Sequence, residues 1–300
     1  MLGVRCTTAA AALGLLIFSA SGEAQQPKDP NVTRMLDGKT KVTYTPGMPV
    51  QQLLTGVGGL TDNGLRELAQ INEYKELRLL DLGGSWSLTD AGLKQVKKFK
   101  SLETLYLYAD SNITDAGIRE LKDVKTLKVL LLRETKITDA GLRELKELPK
   151  LQRLELNKTG ITDAAFRELK DFNHLQILDL SETRITGAGI SQLRELKELR
   201  ELKVGYNRIG DSALKEFKEI KSLQLLNLMR AGITDAGLKD LKAATNVKSL
   251  WLGQNAITDA GLKDLKEFTH LQFLGVGLTK ITLNGSKELK AALPKTNVSY

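Results

Sequence analysis

The chain has 300 residues, 41% hydrophobic and 27% charged, a balance that suits a folded protein rather than a disordered one. One cysteine, Cys6, and two histidines, His174 and His270, exclude a disulfide scaffold, a zinc ribbon and any cluster of several Cys or His ligands. They leave little material for Cys–His or Ser–His–Asp catalysis. The net charge of +8 does not read as a nucleic-acid footprint, because acidic and basic residues alternate, as in Arg143-Glu144-Leu145-Lys146-Glu147. Such interleaving allows i,i+4 pairs such as Arg143/Glu147 and keeps a surface soluble.

Residues 1–24 read as a secretory signal. Arg5 supplies a positive start, Ala9 to Phe18 is an apolar run, and Ser19-Ala20-Ser21 or Gly22-Glu23-Ala24 fits a small-residue cleavage site. The run is too short for a membrane span, which needs about 20 residues, so no stable span is expected after its removal. Cys6 would leave with the signal. Export to a secreted or periplasmic location follows as an expectation. Residues 25–49 hold Pro27, Pro30, Pro46 and Pro49, four of the six prolines, and predict an extended linker with a short strand at Lys41–Thr45.

From residue 50 a 24-residue repeat takes over. Ile137, Ile161, Ile185, Ile209, Ile233, Ile257 and Ile281 are 24 apart, with Ile113, Leu88 and Leu60 as their upstream equivalents. Thr-Asp follows in most copies, as in Thr138-Asp139, then Ala140-Gly141-Leu142. A Leu-x-x-Leu-x-Leu run precedes, as in Leu127/Leu130/Leu132. In Leu130-Leu131-Leu132 the outer residues share one face of a short strand, and the middle one points the other way. Leu142, Leu145 and Leu148 line one face of a helix, which Thr138 or Asp139 is placed to cap. Gly141 allows the helix to approach the strand layer closely. Each copy therefore makes one strand and one helix, and stacking buries the edge it cannot bury alone. Ten parallel strands would span about 45 Å.

At these residues the chain resembles the leucine-rich repeat family, and most of all its subtype with a cysteine at the ninth position. That subtype is known from F-box adaptor proteins and bacterial exported proteins. Here the ninth position is Thr135, Thr159, Thr183, Asn207, Ala231, Asn255 or Thr279, never Cys. The resemblance implies an α/β solenoid of about ten repeats over residues 50–300, with parallel strands on the concave face and helices on the convex face. A solenoid grows along one axis, so a single repeat domain is expected.

Fixed apolar positions are core. The ninth column is expected to bond loop backbone. The Asp column recurs at helix starts and reads as capping rather than metal or acid–base chemistry. The two histidines read as exposed loop residues. Function is expected where the repeat is free to vary, on the outward strand residues. Tyr106, Tyr108, Leu131 and Arg133 form one patch. Arg153, Glu155, Asp179, Glu201 and Lys203 form a charged middle. Tyr206, Met229, Trp251 and Phe273 form a second apolar patch. The spacing from Leu60 to Leu88 is 28 and from Leu88 to Ile113 is 25, so extra residues sit in loops that carry Trp86 and Asp110. Insertions on one edge often mark a binding face, which adds Trp86 and Asp110 to the candidates.

These features point to a non-enzymatic exported protein, a monomer without cofactor or metal, that holds a protein or peptide partner on its concave face. One alternative is a substrate receptor of a ubiquitin ligase, like the F-box adaptors. The other is a carbohydrate-acting enzyme, for which Glu155 and Asp179 are the nearest pair but read as a solvated charge ladder.

Overall fold

The computed structural model of the chain describes residues 32–38, 40–55 and 59–300, so the expected signal segment lies outside the described residues. Each repeat lays down one three-residue strand. These are β3 (Gln52–Leu54), β4 (Leu79–Asp81), β5 (Thr104–Tyr106), β6 (Val129–Leu131), β7 (Arg153–Glu155) and β8 (Ile177–Asp179), then β9 (Glu201–Lys203), β10 (Leu225–Asn227), β11 (Ser249–Trp251), β12 (Phe273–Gly275) and β13 (Asn297–Ser299). They follow β1 (Val32–Leu36) and β2 (Thr40–Tyr44) in the chain. β3 to β13 make one parallel sheet in sequential order, 11 strands where ten were expected. The eleventh is β13, which pairs with β12 and closes the C-terminal edge. Ten steps at about 4.8 Å give a sheet about 48 Å long.

Register aligns the leucine column. Leu105, Leu130, Leu154, Leu178 and Leu202 pair one above the other and are all buried. Leu132, Ile137, Leu142, Leu145 and Leu148 are buried with them, in one cluster that runs from Leu36 to Leu293. Each buried leucine contributes about 1.5–3 kcal/mol, and that packing holds helical segments too short to persist alone. Asp139–Leu145 and Asp235–Leu241 are α-helices, whereas Gly187–Glu195 and Asp211–Glu219 are wound as 3-10 helices.

The segment expected to be an irregular linker is in part a cap. β1 and β2 pair as an antiparallel hairpin, with Leu36 and Val42 in the core. The expected strand at Lys41–Thr45 is β2, one residue earlier. Tyr44 meets Tyr74 edge-on at 5.8 Å. At the hairpin's turn, Asp37 accepts the hydroxyl of Thr61.

That contact belongs to a ladder the sequence reading placed differently. Thr138 caps its helix as expected: its Oγ1 accepts the Ala140 amide at 3.3 Å. Asp139 does not cap its own helix. Its two oxygens accept the Thr162 amide at 2.9 Å and the Thr162 hydroxyl at 2.6 Å, one turn further on. Asp62–Thr89, Asp90–Thr114, Asp115–Thr138, Asp163–Thr186, Asp211–Thr234, Asp235–Thr258 and Asp259–Thr282 repeat the pattern. Gly141 serves this ladder: a Cβ there would stand 2.4 Å from Asp115 Oδ1. The column exists because a carboxylate can satisfy two donors of the neighbouring turn.

The ninth column behaves as expected. Thr135 and Thr159 donate to the carbonyls of Leu132 and Leu156. Asn255 donates to the Leu228 and Leu252 carbonyls and accepts the amides of Ala231 and Ile233 at 3.0 Å each. Most ion pairs among the described residues run between turns rather than along helices. Arg143 and Lys146 both reach Glu168 of the next repeat, at 3.4 and 3.3 Å, which replaces the expected Arg143/Glu147 pair.

Candidate functional site

The outward strand residues form a continuous face because register stacks them. Tyr106, Leu131, Glu155, Asp179, Lys203, Asn227 and Trp251 are successive neighbours across β5 to β11.

At the N-terminal end, Tyr106 and Tyr108 lie 6.5 Å apart between centroids, with Leu131 beside Tyr106. The Arg133 guanidinium sits 4.8 Å above the Tyr108 ring. Tyr108 donates to Asp81 Oδ2 at 3.4 Å, and its ring lies over Gly83, where a Cβ would come within 2.2 Å of it. Burial, and then the Asp81 carboxylate, push the Tyr108 hydroxyl above its ordinary pKa. The expected patch of Tyr106, Tyr108, Leu131 and Arg133 is therefore assembled. Trp86 stands apart from it. It is 65% exposed and stacks on no ring among the described residues. Its carbonyl accepts the Asn112 side chain at 2.7 Å, which ties the two irregular loops together.

Asp110 is a correction. It is fully buried, so it offers nothing to a partner. It follows Ala109, whose φ of 60° matches that of Glu134 before Thr135, so Asp110 occupies the interior ninth column. The extra residue of its loop comes later and displaces the count from Ile113. Unlike the Thr and Asn of that column, neither Asp110 oxygen reaches a hydrogen-bond partner, nor does the buried Ser85 hydroxyl. Burial lifts the Asp110 carboxyl to about 7, with the Asp81 charge adding to the rise.

The charged middle also differs from expectation. Glu155 and Asp179 are nearly buried rather than solvated. Arg153 bonds Glu155 at 2.9 and 2.5 Å. Asp179 accepts the Ser181 amide at 2.9 Å and lies 4.0 Å from the Lys203 ammonium. Burial raises its pKa. The same turn recurs where Asp81 accepts Gly83 and Asn227 accepts Met229, so this column ends strands as well as facing outward.

At the C-terminal end Trp251 and Phe273 pack 4.5 Å apart, and Gly275 leaves the room. Trp251 is 36% exposed and donates to Ser249 at 3.2 Å. Met229 reaches across Gly253 toward this cluster. Tyr206, expected here, belongs elsewhere. It takes a left-handed backbone, φ 57°, in the loop after β9, with Arg230 5.9 Å from its ring. It lines a rim groove of about 490 Å³ with Arg184, Arg208 and Arg230. These arginines were missed by sequence reading, although Arg184 and Arg208 are 24 apart in a column that reads Lys136, Gly160, Gly232, Ala256 and Lys280 in other copies.

His174 is exposed and contacts Glu198 at 3.2 Å, while His270 is part-buried against Phe268, where burial lowers its pKa. Among the described residues no group of three or more His, Cys, Asp or Glu side chains is placed to hold a metal, and no helix is long and apolar enough to cross a membrane.

Two family models, both described as leucine rich repeat, match residues 173–233 and 243–266. The chain is a leucine-rich repeat protein. Solved leucine-rich repeat structures share its fold. An internalin (inlF) of Listeria monocytogenes is 19% identical, covering 83% of this chain and 86% of that one, with a TM-score of 0.54. An internalin C2 (inlC2) of the same organism is 23% identical, covering 71% and 83%, with a TM-score of 0.50. No curated protein matches the sequence. At these identities the likeness describes the α/β leucine-rich repeat solenoid itself.

Proposed function

We propose that this protein is a non-enzymatic, exported, monomeric binding protein that holds a protein or peptide on its concave face. The observation that carries the reading is the pair of accessible aromatic clusters at the two ends of that face, Tyr106–Tyr108 under Arg133 and Trp251–Phe273. Neither is needed to fill the core, which lies on the other side of the sheet. Tyr, Trp and Arg supply large contact area at low entropic cost and dominate interface hot spots. Trp86 adds an exposed ring at the rim. The middle of the face, with Glu155 engaged by Arg153 and Asp179 by a turn amide, supports positioning of polar groups rather than acid–base chemistry, which needs a free acid, a base and an orienting group. Export is supported by the sequence of residues 1–24.

The test is partner capture from the extracellular fraction of the source cells. Tyr106→Ala with Tyr108→Ala, and separately Trp251→Ala with Phe273→Ala, are compared with the convex-face control Lys146→Ala. Loss in either aromatic double variant, with retention in the control, is expected. Equal retention by all three overturns the reading.

A further inference from the structure

We infer that the rim groove around Arg208 is a binding site for a phosphate or sulfate monoester carried on a ring. The site goes beyond the concave-face reading and does not depend on it.

Arg184 and Arg208 occupy equivalent positions on successive turns, each bridged to the threonine of the turn before. Their backbones are therefore about 5 Å apart. Like charges on neighbouring turns repel, and none of Arg184, Arg208 and Arg230 pairs with a carboxylate among the described residues. The groove they line has no acidic residue in its wall. The hydroxyls of Thr183 and Thr186 are already committed, one to the Leu180 carbonyl and one to Asp163. The guanidiniums are thus the donors the groove has to offer. A guanidinium fork matches two oxygens of a tetrahedral oxyanion, and a phosphate monoester offsets up to two of the three charges, a sulfate monoester one. The third wall is the exposed Tyr206 ring with Arg230 over it, a flat surface for a sugar or aryl ring attached to the ester.

The ladder gives an independent reason for the location. Where other joints carry an aspartate at the helix start, this one carries Gly187, and its threonine is replaced by Gly210. The joint beside Arg208 is thus the one joint among the described residues that carries no such carboxylate. Arg208 also lines the adjoining cavities on both sides, of about 370 and 500 Å³. Glu216 is the one carboxylate in either wall.

Titration of the full chain at low salt with inorganic phosphate, phenyl phosphate and phenyl sulfate tests the site, followed by calorimetry and by the shift in thermal midpoint. Phenyl phosphate is expected to bind saturably and more tightly than inorganic phosphate. Phenyl sulfate ranking first instead identifies the sulfate ester as the source. Arg184→Gln and Arg208→Gln each weaken binding about tenfold or more, as loss of a charge-assisted fork predicts. Tyr206→Ala removes the advantage of the phenyl group, and the distant Lys97→Gln changes nothing. No saturable binding of any probe overturns the proposal, and so does equal binding by the arginine variants, or an equal loss in Lys97→Gln. The concave-face variants leave phosphate binding intact, so the two readings fail separately.

Discussion

The joint between Asp139 and Thr162 and the joint between Gly187 and Gly210 solve the same stacking problem in opposite ways. At the first, a carboxylate bridges two turns through an amide and a hydroxyl. At the second, two positions of the column have changed together. Gly187 replaces aspartate and Gly210 replaces threonine. The turns have closed over the gap, so that a Cβ on Gly187 would stand 2.3 Å from the Ile209 carbonyl and 2.7 Å from Ala213. Gly210 takes φ 70° and ψ 166°, a conformation that only glycine adopts without strain, whereas Thr162 sits at φ −126°. One joint therefore fails by losing a side chain and the other by gaining one. A departure from the repeat is tolerable when its partners change with it.

Asp110 offers the strongest test, because its carboxylate is buried without a hydrogen-bond partner. Its folded carboxyl titrates at about 7, against about 3.9 in an unfolded chain. Between those values the folded state holds the extra proton. Stability is therefore full below about pH 4, falls by about 1.4 kcal/mol per pH unit as pH rises, and levels off above about pH 7. Asp110→Asn, which supplies the amide that Asn255 uses in the same column, should gain about 2–4 kcal/mol at pH 8 and flatten that slope. Urea unfolding across pH 4–8 reads both, and an unchanged slope would show that Asp110 finds a partner.

The two joints come next. Asp139→Ala leaves the Thr162 donors unmatched and should cost about 2 kcal/mol. Gly187→Ala forces the closed joint apart and should cost about 1–3 kcal/mol, although the residue it introduces is ordinary at a helix start. If Gly187→Ala is neutral, the joint is loose rather than rebuilt. The smallest effect belongs to the ion pairs between turns. Lys146→Ala should change stability by less than about 1 kcal/mol, because the pair is partly exposed and Arg143 still reaches Glu168.

The strand and core positions were legible because burial repeats with the chain: Leu130, Leu132, Ile137 and Leu142 carry the same signal in every copy. Threonine capping was legible because it is local. The partner of Asp139 was not, since a residue 23 positions away becomes a neighbour only once the turns are stacked. The hairpin around Asp37 shares no repeat pattern, so its prolines suggested a linker. Asp110 was misplaced because one inserted residue moved it off the count. Tyr206 was grouped with the strand face although it lies off the 201/203/205 alternation, in the loop where the backbone turns left-handed. On the concave face, Tyr106 and Trp251 were found because a fixed scaffold makes variable positions conspicuous. The near-burial of Glu155 and Asp179 was missed because it depends on how neighbouring side chains fold over them.

Asp37 gives the hairpin the same grip on the first helical segment that every later turn but the Gly187 one has on the next. The array thus begins on a false turn with the connector of a true one. A duplicated 24-residue unit presents threonine on one side and aspartate on the other, so the array can lengthen at any seam built from those two residues, the first included. Between Gly187 and Gly210 an inserted copy would meet no matching end, so that seam alone among the described residues is closed to a further unit.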